Sequence, residues 1–253
     1  MSELSLGYEL LLLLFATGML AGTLDAVAGG GGLLTLPVLL AVGLGPAEAL
    51  ATNKLQGSFG TFSSSLYFIR NGLVSPRNML LPIMLTFAGS ASGTLLVQIL
   101  DSAFLTRIMP LFLIATALYF WFGPSIRNEA RKQRIGHGLF ALTVGLTIGF
   151  YDGFFGPGAG TFFTLGFVTL LGFDLIQATA HTKILNFTSN IASLIFFAAG
   201  GHVVWKMGLV MAAGQLIGGR IGAHLVHHRG TRLIRPLLVA VCILISLKLL
   251  FGQ

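Results

Sequence analysis

Apolar runs long enough to cross a lipid bilayer follow one another through almost the whole chain. They fall near residues 8–28, 46–70, 76–100, 103–122, 136–155, 174–199, 203–226 and 231–251. A straight membrane helix needs about 20 apolar residues. Only 9% of the residues are charged and 55% are hydrophobic, whereas a soluble domain carries about 25% charged residues. No soluble core of this size could hide so much apolar surface, so the solvent is lipid. Two further runs, 32–45 and 159–172, are about 14 residues long, too short for a full crossing. Each begins at a glycine cluster and reads as a half-crossing or re-entrant helix. The expected fold class is an all-α polytopic membrane protein.

The two short runs lie in matching surroundings. Asp25 is followed by Gly29, Gly30, Gly31 and Gly32, and then by Lys54; Asp152 is followed by Gly156, Gly158 and Gly160, and then by Lys183. Asp25 aligns with Asp152 at a shift of 127, and Lys54 with Lys183 at 129 after a two-residue insertion. At the second shift Thr35 matches Thr164, Gly43 matches Gly172, Glu48 matches Gln177, and Gly89 and Gly93 match Gly218 and Gly222. Agreement at glycine is cheap in a chain with 34 of them; agreement of two acids and two lysines among eight acids and fifteen bases is not. The chain therefore reads as two homologous repeats of about five segments, 1–123 and 136–253, joined by a basic linker, 124–135. An odd number of crossings per repeat gives the halves opposite orientation, and broken helices at corresponding places point to a transport site. If the short runs dip and return, the inversion argument weakens.

The basic loops set the topology. Arg70, Arg77, Arg127, Arg131, Lys132, Arg134, Arg229, Arg232 and Arg235 fall on one side, and only Arg107, Lys206 and Lys248 on the other. The richer side is cytoplasmic, which puts both termini of this multi-pass chain on the opposite, periplasmic side. The net charge of +7 is then an orientation signal, not a nucleic-acid surface. The run Leu10–Leu24 has no basic residue ahead of it and reads as a first membrane helix.

Candidate site residues follow from the cost of burying polarity in lipid. Glycine clusters let the backbone turn sharply and approach a ligand, and the helix that follows each offers free N–H groups and a partial positive charge. Lys54 and Lys183 lie eight or nine residues into their helices, about 12–14 Å deep, too far for easy snorkelling. Their partner is an anionic solute, a carboxylate, or both; the structural pairs would be Lys54 with Asp25 and Lys183 with Asp152. Thr52, Asn53, Thr182, Asn186 and Asn190 line up around them as polar contacts. Asp25, Asp152 and His181 are candidate proton carriers or, for the acids, ion-pair members. Arg220 is a weaker third cation, able equally to reach the cytoplasmic end.

Other chemistries fit poorly. The lone Cys242 excludes an intramolecular disulfide. His224, His227 and His228 form an H-x-x-H-H box, the kind of spacing a membrane metal-dependent oxidase uses. Six histidines in the whole chain are too few for such a centre, so neither metal nor cofactor is expected. No nucleophile elbow is present. A passive anion channel could use the same glycines and lysines. The Gly89/Gly93 and Gly218/Gly222 faces could pack within the bundle or between two copies in a homodimer.

The strings Asp25–Pro37 (DAVAGGGGLLTLP), Ala49–Gln56 (ALATNKLQ), Gly149–Gly160 (GFYDGFFGPGAG) and Ala178–Asn190 (ATAHTKILNFTSN) resemble the TauE/SafE, or sulfite exporter, family of membrane transporters, and most of all its YfcA-type branch. The resemblance covers nearly the whole chain. It implies a two-repeat inner-membrane protein that moves small anions, often sulfur-containing ones such as sulfite, sulfonates or sulfoacetate, coupled to a proton gradient.

Overall fold

A computed structural model describes residues 7–122 and 132–229. The tenth expected segment, Cys242 and most of the linker lie outside the described residues. Among the described residues ten α-helices follow in order: α1 (Tyr8–Ala28), α2 (Gly31–Ala41), α3 (Pro46–Arg70), α4 (Leu80–Ile99), α5 (Ser102–Phe122), α6 (His137–Phe140), α7 (Leu146–Phe154), α8 (Ala159–Leu170), α9 (Leu175–Ala199) and α10 (Trp205–Arg229). A 3₁₀ turn, Pro76–Met79, leads into α4. A π turn, Ala141–Gly145, joins α6 to α7 into one bulged helix. No strand occurs among the described residues.

The expected segments are all recovered in this range. The two short ones are α2 and α8, of 11 and 12 residues. At 1.5 Å per residue each is about 17–18 Å long, roughly half a hydrocarbon core. Helices α1, the 3₁₀ turn with α4, and α10 are apolar and long enough to cross a membrane.

The molecule's large apolar side chains face outward as well as inward, and polar ones sit within an otherwise apolar interior. Leu12, Leu13, Met84, Leu95, Ile99, Leu111, Ile195 and Ile217 stand exposed on its outside. Thr52, Lys54, Gln56, Ser90, Thr182, Lys183, Ser189, Ser193 and Gln215 are buried inside. Lipid solvates the first set, while hydrogen bonds between helices satisfy the second. Helices α3 and α9 carry most of this interior polarity and stand at the centre, packed on each other.

The outer pairs cross between halves: α1 packs along α10, and α4 along α7. Both seams are made by glycines on backbone. Gly214 and Gly218 lie on Phe15 and Met19, and Gly89 and Gly93 on Leu146 and Phe150, so close that a methyl group would overlap the facing carbonyl oxygens. The two glycine faces therefore pack within the bundle, with no second copy needed to cover them.

Candidate functional site

The two breaks in the helices meet. Helix α1 stops where Gly29 enters the left-handed region (φ 72°) and returns its N–H to the Asp25 carbonyl at 2.8 Å. The chain then doubles back, because Gly31 lies against Ala21 and Asp25 of α1. On the other side α7 stops at Phe154, and Gly156 and Gly158 take φ values of 102° and 84° before α8 begins. The loops touch backbone to backbone. A methyl on Gly29 would stand 2.5 Å from the Gly160 carbonyl carbon, and one on Gly160 2.6 Å from Gly29 Cα. Thr161 Oγ1 donates to the Ala28 carbonyl across the join. Tyr151 Oη donates to the Pro157 carbonyl at 2.6 Å and braces the second loop.

A cavity of about 40 Å³ opens at this meeting place, room for a few water-sized groups. Gly29, Gly31 and Gly32 line it from the first loop, and Gly156, Ala159 and Gly160 from the second. The first turns of α2 and α8 therefore face it. Gly31 N donates to Asp25, Leu33 N to the Gly30 carbonyl, Ala159 N to Gly156 and Thr161 N to Gly158, which leaves the N–H groups of Gly32 and Gly160 for the cavity. Asn53, Gln56 and Gly57 come from α3, Asn186 and Asn190 from α9, and Gln215 from α10. Asn186 is 4% exposed and its Oδ1 accepts no hydrogen bond.

Both aspartates stand at the cavity wall, with a lysine bound to each. Lys54 Nζ is 2.6 Å from Asp152 Oδ1 and also donates to the Asp152 main-chain carbonyl. Lys183 Nζ is 3.1 Å from Asp25 Oδ2 and likewise donates to the Asp25 main-chain carbonyl. Each lysine thus neutralises a carboxylate and caps the negative end of the helix that stops at the break. Asp25 Oδ1 in turn accepts, at 3.4 Å, from Gly31 N at the start of α2. The pairing is crossed: each lysine takes the other half's aspartate. This corrects the expected pairs Lys54–Asp25 and Lys183–Asp152. The reason is the interlock of the loops: Gly29 lies on Gly160 and Gly32 on Pro157, which carries each aspartate over to the opposite lysine.

The remaining sequence candidates lie elsewhere. Gly30 and Gly158 are the N-caps of α2 and α8 and do not line the cavity. Thr52 Oγ1 accepts from Val204 N at 3.1 Å, facing the start of α10. Thr182 Oγ1 accepts from Thr164 at 3.1 Å, in the same register as Thr35 on Asn53 Oδ1 at 2.6 Å in the first half. His181 holds the Gln177 carbonyl at 2.7 Å and packs on Phe167 and Phe173. Arg220 is exposed on the outside of α10. The histidine box surrounds a hydroxyl: Tyr67 Oη is 3.2 Å from Nδ1 of both His224 and His227. Gln215 was not among the sequence candidates. Its only signal is one amide within the apolar run 207–219.

Comparison with known proteins agrees with this architecture. The model of the family described as "Sulfite exporter TauE/SafE" matches residues 14–249. The chain belongs to that family. A "Probable membrane transporter protein" of Haemophilus influenzae is 47% identical over 250 residues, covering 99% of this chain and 98% of the relative. The Escherichia coli K12 "Probable membrane transporter protein YfcA" is 52% identical over 245 residues, covering 96% and 91%. No match to a solved structure was found. Family and relatives together make the chain a membrane transporter and not an enzyme, with a small solute as its cargo.

Proposed function

We propose that this chain is a secondary transporter that moves a small anion across the inner membrane by alternating access, coupled to protons. One observation carries the reading: two helix N-termini, one from each half, open onto a shared cavity lined by Asp25 and Asp152, each ion-paired with a lysine of the other half that does not itself line the cavity. Each helix tip is equivalent to about half a positive charge, and the amides of Asn53, Asn186 and Asn190 add donors. The lysines bring no net charge while paired. Protonating Asp25 or Asp152 removes a negative charge from the wall and leaves Lys183 or Lys54 uncompensated beside the cavity. Proton and anion then favour each other's binding, a linkage that is reciprocal by thermodynamic necessity.

The crossed pairs also suit a rocking motion. Each ties a helix end of one half to the central helix of the other, so opening the cavity to either side loosens one tie more than the other. The halves sit in opposite orientation, with both termini periplasmic, and exchange access about the fixed site. The family's description makes sulfur oxyanions the first class to try.

The test is uptake by proteoliposomes of sulfite, methanesulfonate, sulfoacetate, acetate and nitrate, with and without a pH gradient. Lys54→Ala and Lys183→Ala should each abolish uptake while the protein elutes as a folded species. Near-normal uptake by both variants would refute the assigned site. Uptake indifferent to the gradient removes the coupling and leaves a passive channel.

A further inference from the structure

We propose that Gln215, on α10, is a specificity-determining residue that makes the cavity prefer small oxyanions over halides; this rests on the anion reading above. Gln215 is 2% exposed and lines the cavity. Its side chain is there only because two facing positions have none. A methyl on Gly60 of α3 would overlap the Gln215 amide, and one on Gly22 of α1 would stand 2.7 Å from its Oε1.

The amide is the head of a relay. Gln215 Nε2 donates to Gln56 Oε1. Gln56 Nε2 donates to Asn53 Oδ1 at 2.7 Å. Thr35 Oγ1 closes on the same Asn53 oxygen at 2.6 Å. The acceptor oxygens of Gln56 and Asn53 are thus engaged, and Thr35 Oγ1 also lies 3.2 Å from the Gly31 carbonyl. A primary amide has two N–H donors, so the second N–H of Gln215 and Gln56 and both of Asn53 stay available along this wall. A row of amide donors matches the separate oxygens of one oxyanion. A spherical halide gains much less from direction, and a site built to hydrogen-bond several atoms discriminates against a ligand that lacks them. The matching positions of the other half, Thr86 for Gln215 and Leu185 for Gln56, cannot build the relay, so the selective wall is one-sided.

The experiment measures inhibition, by sulfite, nitrate and chloride, of uptake of whichever oxyanion probe the wild type moves best. In Gln215→Leu the inhibition constants of the oxyanions should rise about tenfold, the value of one lost hydrogen bond to a charged ligand. Chloride should change less than twofold. Thr35→Val, which leaves Gln215 in place but releases Asn53, should shift the oxyanion-to-chloride ratio the same way by a smaller factor. An unchanged ratio in folded Gln215→Leu overturns the inference and leaves anion transport standing. Should Gln215→Leu not fold, an unchanged ratio in Thr35→Val overturns it instead. A wild type that moves no anion overturns both readings together.

Discussion

The two halves place different chemistry at the same register. Where α3 meets α10, Gly60 and Gly219 lie backbone on backbone. The matching residues where α9 meets α4 are Ser189 and Ser90. There Ser90 Oγ donates to the Ser189 carbonyl at 2.7 Å, Ser189 Oγ to Ser90 Oγ at 3.0 Å, and Thr94 Oγ1 to Ser193 Oγ at 2.8 Å. At this register one seam packs glycine on glycine and the other joins serines and threonine by buried hydroxyls, although Ser63 and the Gln56–Gln215 amides bridge α3 and α10 elsewhere. The ion pairs differ in the same spirit. Lys54–Asp152 is close, with side chains 1% and 6% exposed, while Lys183–Asp25 is longer, with 1% and 19%. Positions in matching sequence register thus build two unequal walls, and the seam with glycine on glycine is the one that admits the Gln215 relay.

The largest effect should come from the tighter ion pair. Lys54→Ala strands a buried carboxylate and should cost about 3–5 kcal/mol; Lys183→Ala, beside the more exposed Asp25, should cost less. Detergent unfolding of the purified protein gives both values. Adding Asp152→Leu to Lys54→Met should recover most of the loss, whereas adding Asp25→Leu should not. A cycle coupling Lys54 to Asp25 instead would undo the crossed arrangement. Next comes the glycine seam: Gly60→Ala must displace the Gln215 amide and should cost about 1–3 kcal/mol, measured by thermal unfolding. If Gly60→Ala proves neutral, the contrast between the seams fails. The smallest effects test the hydroxyls. Ser193→Ala loses bonds between helices and should cost about 0.6 kcal/mol, the average for such bonds in membrane helices. Ser64→Ala at the matching place should cost almost nothing, because Ser64 Oγ reaches only its own helix, at Gly60 O and Thr61 O. Equal losses would show that the seams differ in appearance alone.

Much of the architecture was legible before any coordinates. Helix limits follow from apolar run length, and the breaks from Gly29 and Gly156, where a left-handed backbone requires glycine. The place of Lys54 and Lys183, each ninth in a 25-residue helix, follows from the repeat. His181 misled because its place in the ALATNKLQ-like string says nothing of the Phe167 and Phe173 rings that cover it. Thr52 and Thr182 misled similarly: helical spacing puts them near the lysine face, but they turn toward α10 and α8.

By itself the amino-acid order determined an all-helical membrane chain, two matched acid–glycine–lysine blocks, and the residues that lipid would punish unless they were paired. Those are local properties, set by run length, backbone freedom and the energy of burying charge. Only the tertiary structure decided which lysine meets which aspartate, that the glycine loops touch, and that Gln215 reaches the cavity. Such choices depend on how helices far apart in sequence cross one another, and residue spacing along a single helix carries no record of that.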